Sequence, residues 1–177
     1  MAQNLELKAA CTVADHDRIV ALLAERETEI VELNQVDRYY AVPNGRLKMR
    51  WIGAEEAELI RYHRPNATGV RLSTYHRLSL NPAQADILDA MLFELFGEKV
   101  IVRKIRKFGI LGHTRIHLDA VDGLGEFVEL ETVLGDGPNA ENVSRAEYEN
   151  VVQLLGLICL KPIAGSYSDL LGEGTHA

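Results

Sequence analysis

Gly45-Arg46-Leu47-Lys48-Met49-Arg50-Trp51 alternates a base with an apolar residue at every step. A period of two marks a strand with one polar and one apolar face, because successive side chains point to opposite sides of a sheet. The same parity recurs along the chain. Glu6 and Lys8 oppose Leu5 and Leu7; Lys104 and Arg106 flank Ile105; Arg115, His117 and Asp119 alternate with Ile116 and Leu118; Phe127, Glu129 and Glu131 alternate with Val128 and Leu130. Pro43-Asn44-Gly45, Gly53-Ala54-Glu55 and the Pro65 to Gly69 segment supply turn chemistry between the early strands. The expected strands are 4–10, 30–42, 46–52, 58–64, 70–78, 99–110, 113–121 and 125–134.

Helical periodicity is confined to three stretches. Ala14 to Ala24 carries Ile19, Val20, Leu22 and Leu23, with Thr12 or Asp15 placed to cap it. Asn81 and Pro82 open a second helix with the stripe Ile87, Leu88, Met91, Leu92 and Leu95, and Gly97 follows its end. Ser144 and Glu147 have capping-box spacing, which predicts a third helix starting there and carrying Val151, Val152, Leu154 and Leu155. The tail from Pro162 reads as irregular, with one helical turn around Ser168 to Leu171. This pattern is α+β and mainly antiparallel: an eight-stranded, closed or nearly closed β-barrel with about three flanking helices, in one domain over 1–177.

The 177 residues are 47% hydrophobic and 25% charged, which excludes both disorder and a disulfide miniprotein. A net charge of −7 argues against a nucleic-acid coat or an anionic-membrane binder. Cys11 and Cys159 show no metal-binding spacing and read as reduced thiols of a cytoplasmic protein. No secretory pattern is expected at the N-terminus, and no apolar run approaches the roughly 20 residues that span a bilayer.

The charges are sorted by strand. An ordinary solvent face mixes signs, since opposite charges across strands stabilise it; here Arg46, Lys48 and Arg50 form one cationic row, Lys104 and Arg106 another, and Glu129 with Glu131 an acidic pair. Turned inward in a closed sheet, such rows are costly to desolvate unless an anion and a metal fill the lumen. Arg and Lys suit polyphosphate oxygens. Glu6, Asp119, Glu129 and Glu131 are hard oxygen donors of the kind that hold Mg²⁺ or Mn²⁺. Gln35, Asp37 and Tyr39 share a face to which no chemistry is assigned; Tyr62 with Arg64, and Arg71, Ser73 and Tyr75, are placed to reach a substrate's far end. His117 is expected to orient Asp119, and Ser166 lacks the His-Asp partners of a nucleophile.

Six motifs stand in order: Asn4-Leu5-Glu6-Leu7-Lys8, the 45–50 stretch, Lys104-Ile105-Arg106, Arg115-Ile116-His117-Leu118-Asp119, the 123–131 stretch ending in Glu129-Leu130-Glu131, and Gly165-Ser166-Tyr167-Ser168-Asp169-Leu170-Leu171. Together they resemble the CYTH superfamily, the triphosphate tunnel metalloenzymes, which includes class IV adenylyl cyclases, thiamine triphosphatases and inorganic triphosphatases. The resemblance implies an eight-stranded tunnel that binds a triphosphate through bases and a divalent metal through acids. It implies metal ligation by Glu6, Asp119, Glu129 and Glu131, and phosphate binding by Lys8, Arg46, Lys48, Arg50, Lys104, Arg106 and Arg115, with Lys8 as the catalytic lysine that activates water. The expected activity is metal-dependent hydrolysis of inorganic or small organic triphosphate; the alternatives are cyclisation of ATP to cyclic AMP and a non-catalytic polyphosphate-binding module. The expected partner is a small-molecule triphosphate, with neither nucleic acid nor membrane, and the chain a monomer or homodimer. Asn4 stands where the family's first motif Glu belongs, which removes a charge from any second metal site, and Gly109 stands where an aromatic is expected.

Overall fold

The alternating segments form strands in a computed structural model that describes residues 4–63, 71–72, 74–135 and 139–173. Among these residues there are nine strands: β1 (Asn4–Ala10), β2 (Ile30–Tyr40), β3 (Arg46–Ile52), β4 (Glu56–His63), β5 (Arg71–Leu72), β6 (Thr74–Leu80), β7 (Glu98–Leu111), β8 (Thr114–Val121) and β9 (Gly125–Val133). All pair antiparallel in one sheet, in the order β5-β1-β9-β8-β7-β2-β3-β4-β6. β5 and β6 lie at opposite ends of that order yet are one residue apart in sequence. The expected strand 70–78 is therefore one interrupted strand, bonded first to β1 and then to β4, and the sheet curls until its ends meet along it. Counted so, the strands are the eight expected. Arg64 and Ser73 lie outside the described residues.

The apolar faces point outward, and helices cover part of them, leaving Val31, Leu78, Ile105 and Ile110 exposed. α1 (Val13–Ala24) is held by a capping box in which Thr12 and Asp15 bond each other's backbone N–H. It packs Ile19 and Leu23 on Leu5, Leu7, Ile116, Leu118, Val128 and Leu130, joined there by Tyr148 and Val151 of α3 (Ala140–Leu154) and by Leu155 just beyond it. α2 (Pro82–Phe96) starts at the predicted Asn81 cap, completed by Gln84. Its apolar stripe divides: Leu88 and Leu92 pack with Ala85 against Met49 and Tyr40, whereas Ile87, Met91 and Leu95 are exposed. The helix is apolar round more of its circumference than the face the sheet can cover.

The predicted start of α3 is corrected. The helix begins at Ala140, so Ser144 and Glu147 fall inside it, and tertiary partners take the groups the box would have used. Ser144 donates to the carbonyl of Val133 at 3.3 Å, and Glu147 accepts from the His113 N–H at 2.6 Å and from the Thr114 hydroxyl at 3.1 Å. Glu147 thereby clamps the β7–β8 turn, where Gly112 has φ +61° and a Cβ would stand 2.8 Å from the Glu147 carboxylate. The tail is more ordered than expected: α4 (Tyr167–Glu173) closes one end of the barrel by packing Tyr167, Leu170 and Leu171 on Tyr39, Val102, Val121 and Phe127. Among the described residues no helix is long and apolar enough to cross a membrane.

Candidate functional site: a charged lumen

The faces turned away from the helices meet inside the barrel. Eight of the predicted residues, Glu6, Lys8, Lys48, Arg50, Lys104, Arg106, Glu129 and Glu131, line a single cavity of about 160 Å³. Strand register explains the meeting, since Lys8 stands opposite Glu129, Glu6 opposite Glu131, and His117 opposite Glu129. The other three predicted residues lie at the margin. Arg46 donates to Asp169 at 2.7 Å, Arg115 is partly exposed 3.5 Å from Glu131, and Asp119 is completely buried behind the wall.

Asp119 is the electrostatic anchor of that wall. Both its oxygens accept from Arg106 at 2.6 Å, Lys104 approaches to 3.1 Å and the Tyr167 hydroxyl donates at 2.9 Å. Burial alone would raise its pKa, but Arg106 and Lys104 outweigh burial and hold the carboxyl well below the usual carboxylate range. With its oxygens so engaged, Asp119 holds Lys104 and Arg106 in place in this structure; it is His117, not Asp119, that stands beside the Glu129/Glu131 pair. His117 Nδ1 lies 3.6 Å from Glu129 and 3.9 Å from Glu131, which corrects its expected pairing with Asp119. Residues directly opposite on neighbouring strands approach more closely than i and i+2 on one strand, and the geometry follows that rule.

A carboxylate to which the sequence reading assigns no chemistry supports the other wall. Asp37, buried on β2 opposite Arg50, accepts from Arg50 at 2.7 and 2.8 Å and from Lys48 at 2.7 Å. Burial disfavours its charge, yet Arg50 and Lys48 bring its pKa well below the ordinary value. Lys48 in turn lies near two rings, 5.3 Å from Tyr39 and 5.9 Å from Tyr62. Its pKa falls to about 8, chiefly through burial and then through the charge of Arg50. Lys104 falls to about 7 for the same reasons, burial first and Arg106 second. These are cations short of compensating charge, which is the condition a polyanion would relieve.

Lys8, the predicted catalytic lysine, is buried with Nζ 3.2 Å from Glu129 and 4.0 Å above the Tyr167 ring. Tyr62 and Tyr75 also line the cavity. Ser166 bonds Ser168 at 2.6 Å and Asp169 at 2.9 Å, and so secures the start of α4 and the carboxylate that holds Arg46. Asp37, Asp169 and Tyr167 are the additions that sequence reasoning missed. For Asp37 the signal was its parity with Gln35 and Tyr39, which places a charge on a buried face.

A family model for the CYTH domain matches residues 2–153. The chain belongs to the CYTH family. No curated protein matches it in sequence. Among solved structures, this CYTH chain is similar to the PH1012 protein of Pyrococcus horikoshii, with 18% identity and TM-score 0.76 over 94% of this chain and 98% of that one. It is similar to a proposed adenylate cyclase of Vibrio parahaemolyticus, with 23% identity and TM-score 0.72 over 95% and 97% of the two chains. It also resembles a Hippeastrum protein, proposed as an adenylyl cyclase and described as having a dominant triphosphatase activity, with 14% identity and TM-score 0.70 over 100% and 97%. These likenesses show the CYTH fold.

Proposed function

We propose that this CYTH protein is a divalent-metal-dependent hydrolase of inorganic triphosphate or a small organic triphosphate. The observation that carries the reading is the lumen itself, where five bases converge on a cavity of about 160 Å³ beside an acidic pair. Pockets for ordinary small organic ligands run to roughly 300–1,000 Å³; a lumen this size accommodates a phosphate chain while leaving an organic group toward the mouth. The residues present fit a divalent ion, since donor atoms of His117, Glu129 and Glu131 lie within 4.8 Å of one another and His117 Nδ1 is a buried atom without a hydrogen-bond partner. A bound ion would supply Lewis-acid polarisation of a phosphoryl oxygen.

The chain's own residues do the remaining work. Lys48 and Arg50, and across the lumen Lys104 and Arg106, bind the phosphate oxygens and neutralise charge that develops during transfer. Asp37 and Asp119 hold these bases in fixed orientations, so little reorganisation accompanies binding. Lys8 stays the residue assigned to water activation, from its place beside Glu129 in the strand register. Water attacks the terminal phosphorus, its bridging P–O bond breaks, and orthophosphate and the shortened polyphosphate leave.

The name of the Vibrio relative favours a second reading, adenylyl cyclisation, in which a ribose 3′-hydroxyl attacks the α-phosphate and pyrophosphate leaves, whereas the dominant triphosphatase activity described for the Hippeastrum relative favours the first. A product assay with Mg²⁺ or Mn²⁺ over inorganic triphosphate, ATP and thiamine triphosphate separates them. Orthophosphate from inorganic triphosphate is the expected product; cyclic AMP from ATP with no orthophosphate would select cyclisation, and no product at all would leave a polyphosphate-binding module.

A further inference from the structure

His117 is the buried group that the triphosphate cradle leaves without a task. It is 4% exposed, and its ring is held by β8 and by Phe108 across the strand pair, with ring centroids 5.5 Å apart. Nδ1 has no hydrogen-bond partner. The atoms it faces are Glu129 Oε2 at 3.6 Å and Glu131 Oε1 at 3.9 Å, both too long for a hydrogen bond. A buried nitrogen aimed between two carboxylates is explained by an atom that belongs between them. Adjacent donors of a six-coordinate ion with bonds near 2.1 Å stand roughly 3 Å apart, so these contacts need to close by less than about 1 Å.

The surrounding charges leave room for this arrangement. Lys8 engages the other oxygen of Glu129, at 3.2 Å, and Arg115 the other oxygen of Glu131, at 3.5 Å. Arg106, held by Asp119, also approaches Glu129 Oε2 at 3.2 Å, so an ion on that oxygen would sit beside its guanidinium. Three protein donors leave coordination positions open for water or a phosphate oxygen, as a catalytic ion requires.

We propose that His117 Nδ1 ligates the same divalent ion as Glu129 and Glu131, and that this nitrogen makes the site prefer Mn²⁺ to Mg²⁺. Mg²⁺ favours an all-oxygen, water-rich shell, whereas imidazole is a ligand for first-row transition ions. The inference rests on the triphosphatase reading only in placing an ion at this wall.

The experiment titrates Mn²⁺ alone into the full-length chain, followed by pulsed electron paramagnetic resonance, with calorimetry for Mn²⁺ and Mg²⁺. The bound Mn²⁺ shows nitrogen modulation that changes to the ¹⁵N pattern when the histidines are ¹⁵N-labelled, a readout that needs no variant. His117→Gln loses that modulation and weakens Mn²⁺ at least about tenfold, by comparison with the 10–100-fold cost of removing even outer-shell partners, while Mg²⁺ affinity changes little. Bound Mn²⁺ without histidine coupling, equal affinity for the two ions, or no bound Mn²⁺ would overturn the assignment. Triphosphate turnover is read separately: turnover without histidine coupling refutes this inference alone, and histidine-coupled Mn²⁺ without turnover refutes the hydrolase alone.

Discussion

Asp37 shows how a single carboxylate sets the state of the lumen. It neutralises Lys48 and Arg50 in a buried site, and removing one partner of such a group leaves uncompensated charge, at a cost of about 3–5 kcal/mol. Asp37→Asn is expected to lower thermal stability by that amount, and saturating inorganic triphosphate to restore much of it, because the ligand supplies the missing negative charge. A melting temperature unchanged by the substitution would contradict the pairing. Lys48 provides a second test. Burial, then Arg50, lowers its pKa to about 8, and a bound polyanion raises it; binding near pH 8.5 should therefore take up protons. Calorimetry in buffers of different ionisation enthalpy should show that uptake, reduced in Lys48→Ala together with the affinity. The inward residues were legible because strand parity needs no tertiary information. The partners of Asp37 were not, because the turn at 43–45 makes β2 and β3 neighbours without fixing the register that sets residue 37 opposite Arg50.

At the scale of elements, the barrel is stabilised from outside. Leu130, completely buried beneath α1 and α3, faces the helices while Glu129 and Glu131 on either side face the lumen. Leu130→Ala is expected to cost about 2–5 kcal/mol, the usual range for a buried leucine; chemical denaturation measures it. Single-residue alternation made eight strands readable, and Asn81 and Thr12 marked two helix starts correctly because their partners, Gln84 and Asp15, lie within one turn. The Ser144/Glu147 spacing misled because the same atoms reach more distant groups across the β7–β8 turn. α4 was under-read because its few residues are ordered by packing on Phe127 and Val102 rather than by helical periodicity. Gly109 packs against the connection from α1 to β2: a Cβ there would touch the Thr28 side chain and the Glu29 carbonyl at 3.4 Å and Leu23 at 3.6 Å.

Over the whole molecule, the net charge of −7 conceals two opposed parts. The interior gathers the bases Lys8 of β1, Lys48 and Arg50 of β3, and Lys104 and Arg106 of β7, whereas most of the acidic excess lies outside. Asp37 and Asp169 reduce the interior excess below what the sequence reading assigned, through their contacts with Lys48, Arg50 and Arg46. Closure of the sheet by the β5–β6 segment was not readable from the strand pattern, since it depends on one strand bonding to both β1 and β4. The account stands most directly on turnover of inorganic triphosphate with Mn²⁺ or Mg²⁺, measured as orthophosphate release in the unaltered chain and in Glu131→Gln. It predicts metal-dependent release that falls at least about a hundredfold in the variant, the loss expected on removing one preorganised charge-stabilising group. Equal release by both chains, or release independent of added metal, would contradict it.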